Sequence, residues 1–237
     1  MPRFSQIMTK MGVVDFIRAL DLRALGYALR KEFFLRGLPD SERTYFLKTQ
    51  DPGRYCAFGM AIQRIIREDI PGAFAEVGVY LGASSKVIHG LCPERKMYLF
   101  DTFEGFPEQD LKGWETKCDM HWSPETFRSS VELVKRNLGD TRNVYFRKGY
   151  FPDTAKGLED ERFAFVNLDV DLYKPTLSGL EFFYDRMNPG GYIFVHDYNN
   201  PEADRGVSKA VDLFFKDKIE RIIEVPDAGG SIVVRRK

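Results

Sequence analysis

The residues with the clearest potential for chemistry are acids that directly follow short apolar runs. Asp169 and Asp171 come after the run 163–168, and Asp197 follows the run 192–195. If these runs are neighbouring parallel strands, their carboxyl ends lie at one edge of a sheet, where Asp169 and Asp197 would converge. Carboxylate oxygens grouped in this way favour a hard divalent cation such as magnesium.

A second group of residues surrounds a glycine-bearing turn that leads into a helical pattern. The turn is Glu76-Val-Gly78-Val-Tyr-Leu-Gly82-Ala-Ser84. Gly78 and Gly82 would allow the backbone to approach a ligand closely. The GxxxG spacing differs from the GxGxxG pattern of dinucleotide sites, and an acid that opens the loop suits a cationic ligand such as S-adenosylmethionine better than a pyrophosphate.

A third candidate is Asp101, which follows the apolar run 97–100. A carboxylate at the end of a second strand, about 20 residues beyond the glycine loop, is well placed to accept hydrogen bonds from ribose hydroxyls. The predicted cofactor contacts are therefore Glu76, Gly78, Gly82, Ser84, Asp101 and Thr102.

Such residues need a framework of alternating strands and helices, and the sequence supplies one. The predicted strands are 74–77, 97–100, 144–146, 163–168, 192–195, 221–225 and 231–234. The stretches between the first five are long enough for crossover helices, which predicts an α/β fold with a doubly wound, mostly parallel, Rossmann-like sheet of about seven strands. The last two strands are close in sequence, so we expect them to pair antiparallel at an edge.

Residues 1–70 carry no candidate for chemistry. Apolar residues recur at helical spacing over 12–36, and a second helical pattern covers 55–68 after the breaker Asp51-Pro-Gly. The predicted organisation is an N-terminal helical extension over 1–70 and a ligand-binding domain over 71–237. An apolar helical face outside the sheet must be covered, so we expect the extension to form a lid, part of the substrate pocket or a homodimer contact.

Charge and composition narrow the class of protein. The chain has 237 residues with 35 Lys plus Arg and 35 Asp plus Glu, so its net charge favours neither nucleic acid nor an anionic membrane. Three cysteines without a CxxC pair argue against a disulfide framework and a zinc site. No apolar run approaches the roughly 18 residues of a membrane span. We therefore expect a cytoplasmic protein with a small-molecule partner.

Taken together, the motifs resemble those of the macrocin O-methyltransferase family of class I methyltransferases. The resemblance covers roughly residues 71–215 and rests on Glu76-x-Gly78, Asp101-Thr-Phe-Glu-Gly105-Phe, Lys148-Gly149-Tyr-Phe, Leu168-Asp-Val-Asp-Leu-Tyr173 and Gly190-Gly-Tyr-Ile-Phe-Val-His-Asp-Tyr198. It implies S-adenosylmethionine held by the Glu76 loop and Asp101, magnesium near the ends of the fourth and fifth strands, and a hydroxyl of a sugar or glycosylated natural product as the methyl acceptor.

The same resemblance assigns roles to the acids that follow the fourth and fifth strands. Asp169 matches a metal ligand and candidate base of the family, and Asp197 matches a second ligand. The chain departs from the family at His196, where the family carries aspartate. Histidine is a poorer ligand for magnesium than a carboxylate, so three alternatives stay open: His196 binds a different metal, His196 is the catalytic base, or no metal is used.

Two rival interpretations have specific requirements. An NAD-dependent oxidoreductase would need the dinucleotide glycine pattern, and the Tyr-xxx-Lys pair of this chain, Tyr27 and Lys31, precedes the glycine loop. A non-catalytic cofactor-binding protein would need a spoiled donor pocket, whereas Glu76, Gly78 and Asp101 are present. The aromatic-containing segment 107–130 is longer than a crossover needs and is a candidate lid.

Overall fold

The structure is a computed structural model, and it describes residues 51–111, 122–200 and 206–237. The helices of these ranges are α1 (Pro52–Arg67), α2 (Ala83–Leu91), α3 (Val131–Leu138), α4 (Tyr173–Tyr184) and α5 (Gly206–Phe215). The strands are β1 (Ala73–Val77), β2 (Met97–Asp101), β3 (Val144–Lys148), β4 (Phe163–Leu168), β5 (Met187–Val195), β6 (Ile223–Val225) and β7 (Ser231–Arg235).

Within the described residues, seven strands form one sheet in the order β3-β2-β1-β4-β5-β7-β6. The first five strands are parallel, and β7 pairs antiparallel with both β5 and β6. The predicted doubly wound, mostly parallel sheet is confirmed, as is the antiparallel pairing of the last two strands. Strand order reverses between β1 and β4, and such a switch point opens a crevice at the carboxyl ends of the strands.

The centre of the sheet is covered on both faces. All residues of β1 and β4 are buried, as expected for parallel strands between two helical layers. On one face α1 contributes Phe58, which is fully buried and whose ring lies edge-on to those of Phe165 and Phe194 at 5.4 and 4.9 Å. This part of the predicted extension therefore packs directly on the sheet, and its helical pattern over 12–36 lies outside the described residues.

The start of α1 corrects one expectation. Asp51-Pro-Gly is not a breaker ahead of the helix, because Pro52 is its first residue and Asp51 is its N-cap. The Asp51 Oδ1 atom accepts a hydrogen bond from the N–H of Arg54 at 3.3 Å. Proline suits this position because its ring presets the helical φ and no intrahelical donor is needed there.

The connection from β3 to β4 corrects another expectation. Instead of a crossover α-helix it holds a short 3₁₀ helix, Asp153–Ala155. Gly149 and Gly157, both with positive φ, bound this segment and interrupt any longer helix. Among the helices that the structure describes, none combines the length and apolarity needed to cross a membrane.

Candidate active site

A cavity of about 530 Å³ lies at the carboxyl edge of the sheet, at the switch point between β1 and β4. Its wall brings together the loops that follow β1, β2, β4 and β5. Of the residues predicted from the sequence, those that line it are Gly78, Ser84, Asp101, Thr102, Asp169, His196 and Asp197. Glu76 and Gly82 lie behind the wall.

Glu76 is completely buried beneath the glycine loop. Its Oε1 accepts a hydrogen bond from Nδ2 of Asn167 in β4 at 2.8 Å, and its Oε2 accepts one from the hydroxyl of Ser85 in α2. Burial raises the pKa of Glu76 to about 7, although hydrogen bonds from Ser84, Ser85 and Asn167 oppose the shift. Direct contact of Glu76 with a cofactor stays a prediction. In the structure, the hydrogen bonds of Glu76 connect β1 to β4 and to α2.

Each glycine of the loop allows a different close contact. A Cβ on Gly78 would lie 1.8 Å from the carbonyl oxygen of Asp169, and its φ is +84°. A Cβ on Gly82 would lie 2.8 Å from the side chains of Val134 and Leu138 in α3, at a φ of +78°. Gly78 thus allows the loop to pass the end of β4, and Gly82 allows the start of α2 to pack against α3.

Asp101 fastens the glycine loop to the end of β2. Its Oδ2 accepts hydrogen bonds from the N–H groups of Val79 and Tyr80 at 2.7 and 3.0 Å, and its Oδ1 accepts one from Phe103 at 2.6 Å. A carboxylate offers about four acceptor positions, so three are taken and one is left for a ligand hydroxyl. The neighbouring hydroxyl of Thr102 donates to the carbonyl of Gly105 at 2.7 Å and so shapes the next turn.

The acids after β4 and β5 converge on His196, as the sequence predicted for the two aspartates. Nδ1 of His196 lies 2.8 Å from Oδ2 of Asp197 and 3.1 Å from Oδ1 of Asp169. Burial disfavours a charged imidazole, but the charge of Asp169 and the hydrogen bonds to Asp169 and Asp197 outweigh it and raise the pKa of His196 to about 10. A histidine held in this way keeps its proton at neutral pH unless another cation takes the proton's place.

Arg54 is a residue of this centre that the sequence did not suggest. It reaches from the first turn of α1 and donates from Nη1 to Oδ2 of Asp169 at 2.6 Å, while its Nε lies 3.3 Å from Oδ2 of Asp51. Burial alone would raise the pKa of Asp169, but the charges of Arg54 and His196 hold it well below its ordinary value. No local sequence signal could identify Arg54, because its partner lies 115 positions away.

Asp171 is the acid that the sequence paired with Asp169 as a candidate cation ligand. It lines the cavity two positions after Asp169, and its φ of 60°, like that of Asp197, lies in the left-handed region that few non-glycine residues adopt. Burial, followed by the charges of Asp169 and Asp197, raises the pKa of Asp171 well above its ordinary range. Backbone strain and a shifted proton affinity at one residue are typical of functional sites.

Aromatic side chains form the wall on the β2 side. The rings of Phe106 and Trp122 are stacked at 5.0 Å, and Phe127 meets both Phe106 and Tyr80 edge-on at 5.5 and 5.2 Å. All four residues line the cavity. The stretch from Lys112 to His121 of the candidate lid lies outside the described residues.

The strand order and helical layers define a class of fold, the Rossmann-like fold with an antiparallel strand near one edge. The solved structure of the O-methyltransferase NovP shares it, with a TM-score of 0.68 over 78% of this chain and 80% of that chain at 23% identity. The family follows from the sequence comparison. The family described as Macrocin-O-methyltransferase (TylF) matches residues 53–230, most of the chain, and the protein belongs to this family.

Two curated relatives are similar to part of the chain. The 8-demethyl-8-(2,3-dimethoxy-alpha-L-rhamnosyl)-tetracenomycin-C 4'-O-methyltransferase of Streptomyces olivaceus is 30% identical over 165 residues, 64% of this chain and 60% of the relative. The mycinamicin III 3''-O-methyltransferase of Micromonospora griseorubida is 27% identical over 164 residues, 64% of this chain and 65% of the relative. The chain thus matches less than two thirds of the length of each.

Proposed function

We propose that the protein is an S-adenosylmethionine-dependent O-methyltransferase whose acceptor is a hydroxyl of a sugar or glycosylated natural product. The observation that carries this proposal is a single cavity into which both Asp101 beside the glycine loop and the acid cluster of Asp169, Asp171 and Asp197 open. Membership of the macrocin O-methyltransferase family and the sugar acceptors in the relatives' names support it. The family membership also favours methyl transfer over the hydride transfer of an NAD-dependent enzyme.

Methyl transfer from a sulfonium is an in-line displacement. The methyl carbon leaves sulfur, which becomes a neutral thioether, and bonds to the acceptor oxygen, whose proton must go to a base. Asp101 and the loop of Gly78 to Tyr80 would position the donor, with one carboxylate acceptor position left for a ribose hydroxyl. Ser84 lies on the same wall at the start of α2.

Asp171 suits the role of base better than its neighbours do. Both oxygens of Asp169 are already engaged, by Arg54 and His196, and its pKa is lowered. His196 holds its proton between two carboxylates. Asp171 lines the cavity and has a raised pKa, so as a carboxylate it would accept the hydroxyl proton readily.

The residues of the acid cluster also fit a divalent cation. One oxygen each of Asp169 and Asp197 lies about 3 Å from Nδ1 of His196, a spacing close to that of neighbouring ligands around an octahedral ion. Arg54 pairs with Asp51 and Asp169, while Asp197 faces His196, so a divalent ion that displaced the proton of His196 would lie between two carboxylates. When bound, such an ion would supply Lewis-acid polarisation of the acceptor hydroxyl.

Calorimetric titration tests the cofactor half of the proposal. We expect S-adenosylhomocysteine to bind and NADH not to bind, and Asp101→Ala to weaken binding by about 1 to 3 kcal/mol because a ribose hydroxyl and loop amides lose their acceptor. Glu104→Gln, an exposed acid in the same segment, is the matched control and should bind normally. Binding of NADH without S-adenosylhomocysteine would refute the proposal.

A methylation assay tests the acceptor half. Labelled methyl transfer from S-adenosylmethionine would be measured across a panel of glycosides with free hydroxyls, with and without a chelator. Transfer to at least one sugar hydroxyl is expected. Methylation of a nitrogen or carbon acceptor in preference to every hydroxyl would overturn this half while leaving the cofactor assignment intact.

A further inference from the structure

The acid cluster is built around a ring nitrogen. Nδ1 of His196 faces Oδ1 of Asp169 at 3.1 Å and Oδ2 of Asp197 at 2.8 Å, and the ligand atoms of these three side chains lie within 4.8 Å of one another. Without an ion, one N–H group is shared between the two oxygens. Separations of about 3 Å are also those of adjacent ligands around an ion with bonds of about 2.1 Å, so a cation that replaces this proton would have the three atoms as ligands.

In each aspartate, the carboxylate oxygen that does not face His196 accepts a hydrogen bond. Oδ2 of Asp169 accepts a hydrogen bond from Arg54 at 2.6 Å, and Oδ1 of Asp197 accepts one from Nδ2 of Asn200 at 3.0 Å. In each aspartate the remaining oxygen faces His196. Hydrogen bonds of this kind orient metal ligands and leave one defined donor atom per side chain.

The other ring nitrogen of His196 faces a carboxylate without a hydrogen bond. Nε2 is buried, has no hydrogen-bond partner among the described residues, and lies 4.0 Å from Oδ2 of Asp51. Asp51 and Asp227 form a second close group with His196. Carboxylates behind the ring favour a proton on Nε2, which leaves the lone pair of Nδ1 directed at the ligand face.

From this donor set we propose that the site of Asp169, His196 and Asp197 selects a divalent ion of the first transition series, such as Mn²⁺, Fe²⁺ or Co²⁺, over Mg²⁺. This inference rests on the proposed function. Magnesium prefers an all-oxygen shell, whereas an imidazole donor favours ions in the order Mn²⁺, Fe²⁺, Co²⁺ and Ni²⁺. The two carboxylates provide the charge that any of these ions needs, and the nitrogen provides the selectivity.

The test measures metal binding rather than turnover. Chelator-treated protein would be titrated with Mn²⁺, with free Mn²⁺ followed by its EPR signal, and Mg²⁺ would be added as competitor. We expect Mn²⁺ to bind at least about a hundredfold more tightly than Mg²⁺. Pulsed EPR of the bound Mn²⁺ should show coupling to one directly coordinated ¹⁴N.

Two variants distinguish the role of His196 as a metal ligand from the effect of the residues around it. His196→Asp should abolish the nitrogen coupling and narrow the preference for Mn²⁺ over Mg²⁺ by about tenfold or more, because it restores an all-oxygen face. Asp51→Asn keeps a good N-cap for α1 and should keep the nitrogen coupling, with weaker Mn²⁺ affinity by about tenfold.

Several results would overturn the inference: equal affinity for Mg²⁺ and Mn²⁺, bound Mn²⁺ without nitrogen coupling, or an unchanged ion preference in His196→Asp. Failure to bind either ion at millimolar concentration would also overturn it. Titration of the same samples with S-adenosylhomocysteine distinguishes these outcomes from failure of the proposed function, since cofactor binding depends on Asp101 and the glycine loop, at the ends of β1 and β2.

Discussion

Asp169 and Asp171 are two positions apart in the sequence, and their pKa values are shifted in opposite directions. Asp169 contacts a guanidinium and an imidazole, which hold its pKa low, whereas burial and two neighbouring carboxylates raise the pKa of Asp171. Environments that push the pKa values of adjacent acids apart assign them different tasks. Asp169 suits permanent charge and positioning, and Asp171 suits exchange of a proton.

Replacement of Asp171 tests this division. We expect Asp171→Asn to lower turnover at least about a hundredfold, roughly 3 kcal/mol of transition-state stabilisation, because the amide cannot accept the hydroxyl proton. Affinity for S-adenosylhomocysteine should stay unchanged. Asp160→Asn, at an exposed acid in the turn before β4, is the control and should retain full turnover.

The pH profile of the wild-type enzyme provides a second readout of the same prediction. Asp171 must be ionised to act, so turnover should rise with pH through the pKa of Asp171, which is raised in the ion-free protein and which a cation bound to Asp169 and Asp197 would lower. The Asp171→Asn variant should lose this limb of the profile. If the variant keeps both its turnover and its pH dependence, the base is a residue other than Asp171.

At the level of elements, the site depends on how α2 and α3 meet behind the glycine loop. Gly82 has a φ of +78°, and a Cβ there would lie 2.8 Å from Val134 and Leu138. Gly157, in the turn before β4, also has a positive φ, +85°, with no atom within 4 Å of its Cβ position. Comparison of the two glycines therefore isolates the cost of crowding at Gly82 from the cost of a positive φ.

We expect Gly82→Ala to destabilise the protein by about 1 to 3 kcal/mol more than Gly157→Ala does. Both variants place an alanine at positive φ, which costs about 1 to 2 kcal/mol, and only Gly82→Ala also crowds α3. Urea denaturation measures the difference. Gly82→Ala should also weaken S-adenosylhomocysteine binding, because α2 must shift away from α3. Equal losses of stability in the two variants would show that the packing at Gly82 is dispensable.

On the scale of the whole molecule, α1 connects the sheet to the site. Phe58 anchors it against β4 and β5, which places Arg54 beside Asp169, and Arg54 and Tyr55 line the cavity. The expectation that the N-terminal extension covers the substrate pocket or a dimer contact remains a prediction for residues 1–50, which lie outside the described residues.

The buried carboxyl of Glu76 makes global stability depend on pH. Its pKa rises from 4.5 to about 7 on burial, so the folded state binds a proton that the unfolded state releases between these values. The stability that this group contributes is full below about pH 4.5 and is lost as pH rises through about 7, with a total change of up to about 3 kcal/mol.

Glu76→Gln should remove this dependence, because the amide mimics the protonated acid. Denaturation of both proteins at about pH 5 and about pH 8 measures it. The variant should gain stability relative to the wild type as pH rises, since other titrating groups are common to both. A difference between the two proteins that stays constant with pH would show that Glu76 is ionised throughout.

The sequence by itself determined the sheet and the positions of most polar residues around its open edge. Strands, turns and helices arise from patterns within a few residues, and the alternation of strand and helix leaves few topologies. Asp101, Asp169 and Asp197 could be assigned to the site because each lies at the end of a strand or within two residues of it, and parallel strands end at one edge.

Only the tertiary structure decided what each of those residues touches. Arg54 meets Asp169 across 115 positions and Glu76 meets Asn167 across 91, and no local pattern encodes such pairs. Packing also buried Glu76 beneath the loop, where it connects β1 to β4 and α2, and burial together with neighbouring charges set the proton affinities of Asp171 and His196. Desolvation and charge proximity depend on the packed arrangement, so the chemistry of these residues is fixed only when the chain folds.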